Sequence, residues 1–293
     1  MSIRFLVIPH IQISHANAMQ AWWLMAPPSP MTVQGFVRAM GLKCGFHHKS
    51  VALALHDVQW LTQEKGNRHF VVVDDANVRF WNHKVLPQQP QGATYIDGQD
   101  HIQSSFAKGL QPTARCHAEM SVVVDIGESP LNLRLVNDFL WSARIGGGAI
   151  TEHGEPCVCA STEEALKKIG GGFWIMDRAD LALQKMQEDR LSGVEAVISV
   201  LGENARHRYH YSRLPEQKRG ELPKPKSWLS ANLVGFAALE DPKQRIGVRE
   251  DVLHAYAEPL VGLIQYRSIR AEKRIPFWQY HTAPNGVYLM KGN

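Results

Sequence analysis

The chain has 293 residues, 44% of them hydrophobic, and a formal net charge of +4 with 14 histidines besides. This is enough apolar sequence for one large core or two small ones, while no apolar run reaches the length of a membrane span, so an integral helical membrane protein is excluded. The four cysteines, Cys44, Cys116, Cys157 and Cys159, lack the spacing of a disulfide framework. The N-terminus lacks the basic-then-apolar layout of a secretory signal, so reduced thiols and a cytoplasmic location are expected.

Residues 3–8 are apolar at almost every position, which predicts a strand covered on both faces. Ser29 followed by Pro30 supplies a cap acceptor and a residue preset for the first helical position. Val33, Phe36, Val37 and Met40 then recur at the spacing of an amphipathic helix. Val51, Leu53 and Leu55 alternate as a returning strand. From 63 to 115 helical periodicity is lost. Stretches 69–73 and 78–81 flank Asp74-Asp75-Ala76-Asn77, which is turn chemistry, so a β-hairpin insertion is expected. Pro87, Pro90, Gly92 and Gly98 then make an extended excursion, and Arg68, Arg79, Lys84 and Lys108 make it partly basic.

The first pattern returns about a hundred residues on. A strand over 120–126 leads to Ser129-Pro130 as a second cap, and Val136, Phe139, Leu140 and Ala143 repeat the helix spacing. Two strand–cap–helix units, each followed by strand-like sequence, predict an α+β protein with a β-α-β-β-α-β ferredoxin-like core. That core is expected over 1–160, with a C-terminal extension over 161–293 packed on it.

After the second helix comes Arg144-Ile145-Gly146-Gly147-Gly148. A glycine triplet leaves backbone N–H groups that no side chain shields, and these suit phosphate oxygens or base edges. It is neither a dinucleotide-binding fingerprint nor a P-loop. Ser161-Thr162-Glu163-Glu164 is a capping box for a short helix to Ile169, stopped by Gly170-Gly171-Gly172. A strand over 173–176, a helix over 179–188, an ambiguous apolar run over 194–201, and an apolar stretch over 228–239 follow. Residues 251–269 read as a helix kinked near Pro259, and 277–280 with 287–290 as a closing hairpin.

Between 205 and 226 basic residues dominate, with His207, Tyr209, His210 and Tyr211 interleaved. Arg206, Arg208 and Arg213 suit phosphates and the rings suit unpaired bases, the composition of a single-strand binder; Pro215, Pro223 and Pro225 predict a loop there.

Several segments together carry a resemblance: PHIQISHANA, PPSPMTVQGFVRAM, ARIGGGAI, GGFWIMDRADL, PLVGLIQYRSI and FWQYHTAPNGVYLM. In this order they resemble the crRNA 5′-handle-binding RAMP subunit of type I-F CRISPR-Cas (Csy) surveillance complexes. The resemblance implies a non-catalytic RNA-binding protein with an RRM-related, ferredoxin-like core, a β-hairpin thumb and a mixed α/β C-terminal extension. Its implied partners are the 5′ handle of the crRNA, a neighbouring backbone subunit of the complex, and a large subunit or target DNA. Carried over to matching positions, it singles out His15, Asn17, Gln34, Arg38, Arg144, Gly146, Gly147 and Gly148 as RNA ligands. The 63–115 insertion and the basic segment near 206–226 are the parts least similar to the family. Arg68, Arg79, Trp81, Lys84, Gln88 and Gln89 are the insertion's candidates for contact with guide or with target DNA, including the motif that flanks the target.

No cofactor and no metal are expected. A zinc module through Cys44, His47 and His48 lacks a second ligand pair at the right spacing. The alternative is a metal-independent RAMP endoribonuclease recruiting His47, His48, His117, His207 or His210 as general acid or base.

Overall fold

The computed structural model describes residues 4–21, 24–61, 114–219, 223, 224, 226, 228–247, 252–283 and 286–293. The expected insertion lies outside these residues except for Ala114 and Arg115, and with it Arg68, Arg79, Trp81, Lys84, Gln88 and Gln89. The first half of the chain forms β1 (Phe5–Asn17), β2 (Met19–Ala21), β3 (Leu24–Met25), α1 (Pro30–Cys44), β4 (Ser50–Trp60), β5 (Arg115–Asp125), α2 (Leu133–Leu140), β6 (Arg144–Ile145), β7 (Gly148–Glu152) and β8 (Cys157–Cys159). The second half forms α3 (Thr162–Ile169), β9 (Phe173–Asp177), α4 (Ala179–Asp189), α5 (Gly193–Arg213), α6 (Glu216–Arg219), β10 (Leu229–Ala238), β11 (Ala257–Ser268), β12 (Trp278–Ala283) and β13 (Val287–Gly292).

Eleven of these strands form one sheet, ordered β12-β13-β10-β11-β9-β4-β5-β1-β7-β6 with β8 also on β1. Every pairing in it is antiparallel. The protein is therefore mixed α/β around a large antiparallel sheet. Within it β4, β5, β1 and β7 lie side by side, and α1 and α2 cover one face. Leu6, Ile8, Ile11, Ile13, Met120, Val122 and Val124 from the strands share a buried cluster with Val33, Phe36, Val37, Met40, Val136 and Leu140 from the helices. On the other face Phe5, Val7, Ala52, Ala54 and Val123 are covered by Ala165 and Ile169 of α3 and by Trp174. The unbroken apolar run at the start of β1 is thus buried from both sides, as the pattern predicts.

The first cap stands as expected: the Ser29 hydroxyl accepts from the Thr32 amide at 3.1 Å, and Pro30 opens α1. The second does not. Asn132, not Ser129, caps α2, accepting from the Arg134 and Leu135 amides at 3.0 and 3.4 Å. The Ser129 hydroxyl instead accepts from the His47 amide at 2.9 Å.

The helix expected over 251–269 is also corrected, because β11 occupies Ala257–Ser268. Pro259 cannot donate to a helix ladder. It falls where β11 has β10 on one side and β9 has not yet joined, a position a strand tolerates. In turn, the basic segment expected as a loop is helical through Arg213. Ser192 and Glu195 open α5 with a reciprocal capping box, and the first proline comes only at Pro215.

The second half of the chain curls the sheet back on itself. β9 pairs with β4 at Ala54 and Leu55, β12 pairs with the same edge at Val51, and β11, β10 and β13 link the two. Ile175, Val234, Ile264, Trp278 and Met290 thereby join the buried cluster of α1. The Trp278 indole donates to the Ile175 carbonyl at 2.8 Å across this curl. Among the described residues no helix is long and apolar enough to cross a membrane.

Candidate nucleic-acid interface

The glycine triplet is a tight hairpin between β6 and β7 rather than an open loop after a helix. Ile145 pairs with Gly148 and Arg144 with Ala149, so Gly146 and Gly147 are the two turn residues, with φ of 57° and 75°. Both angles are positive, as a two-residue turn matching strand twist requires, and glycine meets that without a side-chain clash. Gly148 has a different reason to be glycine. A Cβ there would lie 2.6 Å from the Ala16 nitrogen and 2.7 Å from the Ser14 carbonyl oxygen, so the hairpin seats on β1 only without a side chain.

This seat gathers several of the expected ligands. The Asn17 amide donates to the Gly146 carbonyl at 2.8 Å, and the Arg144 guanidinium to the Gly147 carbonyl at 3.2 Å. Arg115, at the start of β5, donates to the His15 carbonyl at 2.9 Å, and its guanidinium lies 4.0 Å from where a Gly147 Cβ would be. His15, Asn17, Arg144 and the three glycines therefore share one edge of the sheet, with Arg115 added. Asn17 spends its side chain locally, exchanging hydrogen bonds with the Met19 backbone at 3.0 and 3.1 Å.

From this edge a polar strip continues along β1, β5 and β4 on the face opposite α1 and α2. His10 and His15 sit at register shifts of β1, both with positive φ, 50° and 59°. Such bulges turn a side chain out of the regular alternation. The His10 ring bonds the Glu119 carboxylate at 2.7 Å and stacks on His56 with centroids 4.4 Å apart. His56 in turn bonds the Ser121 hydroxyl at 2.7 Å, and His15 meets His117 edge-on at 4.8 Å. Burial, together with the charge of His10, lowers the His56 pKa. Burial alone would raise the Glu119 carboxyl. Hydrogen bonds from His10 and Gln12 and the nearby imidazole charges outweigh it and hold the group below its usual range.

Gln34 and Arg38 lie elsewhere on α1. Gln34 bonds the His48 ring at 3.2 Å, and the charge of Arg38 is felt by His48 and by Tyr280 of β12, whereas the hairpin approaches α1 at Thr32. Burial first, then the charges of Arg38 and His47, lower the His48 pKa. Arg206, Arg208 and Arg213 are exposed along α5. The Arg213 guanidinium sits 3.9 Å over the Tyr209 ring, while the Tyr211 hydroxyl donates to the Arg219 carbonyl at 3.2 Å. Among the described residues no hydrogen bond joins this helix to the hairpin edge, so the expected ligands fall into three groups.

Among the described residues no set of three or more His, Cys, Asp or Glu is arranged to hold a metal ion. The Cys157 and Cys159 sulfurs lie 4.0 Å apart on β8, and burial, aided by Cys157, pushes the Cys159 thiol up to about 12.

Sequence reasoning missed Arg115, His10, His56 and Glu119. The signal was present: Arg115, His117, Glu119 and Ser121 alternate with Cys116, Ala118 and Met120, a strand pattern with one polar face that begins before 120. Compared with known proteins, residues 6–290 match the family model described as CRISPR-associated protein (Cas_Csy2). No curated protein matches the chain.

Proposed function

Because the chain belongs to the Cas_Csy2 family of type I-F (Csy) CRISPR-associated proteins, we propose that it is a non-catalytic, RNA-binding subunit of a cytoplasmic surveillance complex. It holds the 5′ handle of the crRNA, caps that end of the assembly and packs on the neighbouring backbone subunit. The observation that carries this reading is the edge where the glycine hairpin seats on β1. His15, Asn17, Arg115, Arg144 and Gly146–Gly148 converge there, offering backbone that carries no side chain and two guanidinium groups to a strand. A ferredoxin-like, RAMP-type core is supported by the order β7-β1-β5-β4, all antiparallel, with α1 and α2 as the two crossovers.

The test is to incubate the purified protein with a repeat RNA. Protection of the handle without cleavage is the expected result. Cleavage abolished by a single His substitution overturns the binding-only reading in favour of the endoribonuclease, for which His117, in edge-on contact with His15, lies beside the hairpin edge. A share in recognising the motif that flanks target DNA rests on the insertion. It predicts that the assembled complex loses motif discrimination when 84–103 is trimmed; discrimination that survives the deletion removes this part of the proposal.

A further inference from the structure

Two non-glycine residues of β1 adopt left-handed backbone angles, and both are histidines on the face opposite α1 and α2, exposed among the described residues. A left-handed conformation costs an L-residue of order 1 kcal/mol, and such costs gather where a side chain has to be aimed. The His10 bulge is held by its amide donating to the Ser121 hydroxyl at 2.9 Å, and the His15 bulge by Arg115 on its carbonyl. The bulges therefore belong to the folded sheet and present their rings at its surface.

We propose that this histidine face is a binding track for the phosphates of single-stranded RNA, continuous with the glycine-hairpin edge, and that it binds more tightly as its imidazoles protonate. The proposal rests on the RNA-binding reading given above and extends it to a surface that reading does not need. The charges facing the track come from each neighbouring strand. β5 brings Arg115, His117 and Glu119, β4 brings His56 and Asp57, β1 brings His10 and His15, and β7 brings Glu152 at its register opposite Gln12. From the turn before β9 the backbone of Gly171 and Gly172, which carries no charge, meets His56. With neutral imidazoles the carboxylates outnumber Arg115. With protonated ones the sign reverses, so the face changes from repelling to attracting a phosphate chain.

The ligand chemistry follows from the same contacts. His10 Nδ1 is engaged by Glu119, His56 by Ser121 and the Gly171 backbone, and the Nδ1 atoms of His15 and His117 by Ser14 and the His15 amide, which leaves the outer ring edges of His10, His15 and His117 to the ligand and speaks against a metal. Flat rings beside cationic groups suit unpaired bases next to phosphates.

The experiment measures binding of the full chain to a short oligouridylate and to a repeat-derived RNA, at about pH 8 and about pH 5.5 and constant ionic strength. Affinity is expected to rise roughly tenfold toward the lower pH, because the histidine range lies between the two. A variant combining His10→Asn, His15→Asn and His117→Gln keeps residues that tolerate the left-handed angles and removes three imidazoles. It should bind with no such pH response. A wild-type pH response in the variant overturns the proposal. Gly147→Asn, measured in parallel, separates this idea from the hairpin reading. If it lowers affinity while the histidine variant behaves as wild type, the hairpin stands and the track falls. If only the histidine variant changes, the track stands and the hairpin reading falls, and absence of RNA binding at either pH overturns both. Should the triple variant melt, ring-proton titrations of the wild type serve instead: RNA must raise the pKa values of His10, His15 and His117, and unmoved titrations overturn the proposal.

Discussion

Gly147 and Gly148 are neighbours with different constraints, and substitution should separate them. At Gly148 any Cβ meets the backbone of β1 at 2.6–2.7 Å, so Gly148→Ala should lower stability by about 1–3 kcal/mol in urea denaturation, through overpacking. At Gly147 the space is open and the demand is a φ of 75°. Gly147→Asn should therefore cost little stability while weakening RNA binding, whereas Gly147→Val would add backbone strain and confuse the two effects. Titration acts at the same scale. The folded pKa values of His48 and His56 are depressed, chiefly by burial, so the unfolded chain binds more protons just below the ordinary histidine range. Their contribution is present above about pH 6.5 and is lost as pH falls through the folded values. Denaturation midpoints should fall on acidification, and His56→Gln should blunt the fall; an equal fall in the variant would assign the effect to other groups.

At the scale of elements, α5 is the clearest case. A helix spanning Gly193–Arg213 keeps Arg206, Arg208 and Arg213 exposed on a rigid support, buried at its start through Ala196 and Val197. Neutralising the three arginines should reduce nucleic-acid affinity and flatten its dependence on salt, by roughly 0.7 in the log–log slope per lost contact on a single strand. An unchanged slope would make α5 a protein-facing or solvated surface. The helix also explains why Tyr209 is a poorer stacking platform than its exposure suggests, since Arg213 already covers one of its faces.

At the scale of the molecule, the curl of the sheet makes the second half of the chain part of the first half's core. The far side of α1 is closed by Val234, Trp278 and Met290 from the C-terminal strands. Trp278 is fully buried and bonds its indole to Ile175. Trp278→Ala should therefore cost about 3–5 kcal/mol, and a fragment ending at 160 should fail to show cooperative unfolding. A fragment that melts cooperatively would restore the picture of an independent core with an extension merely resting on it.

The local elements were legible because local chemistry sets them. The Ser29-Pro30 start, the Val33, Phe36, Val37 and Met40 stripe, the doubly buried opening of β1, the Ser161 cap and the closing hairpin all appear where residue type and spacing put them. What depended on distant partners was not. Ser129 accepts from the His47 amide, 82 positions away, and Asn132 caps α2 in its place. Residues 257–268 become a strand because β10 and β9 supply the ladder. The glycine triplet becomes a hairpin because β1 gives it a seat. The histidine face needed the tertiary structure most of all. His10, His56, His15 and His117 lie far apart along three strands, and only sheet register and two bulges bring their rings together.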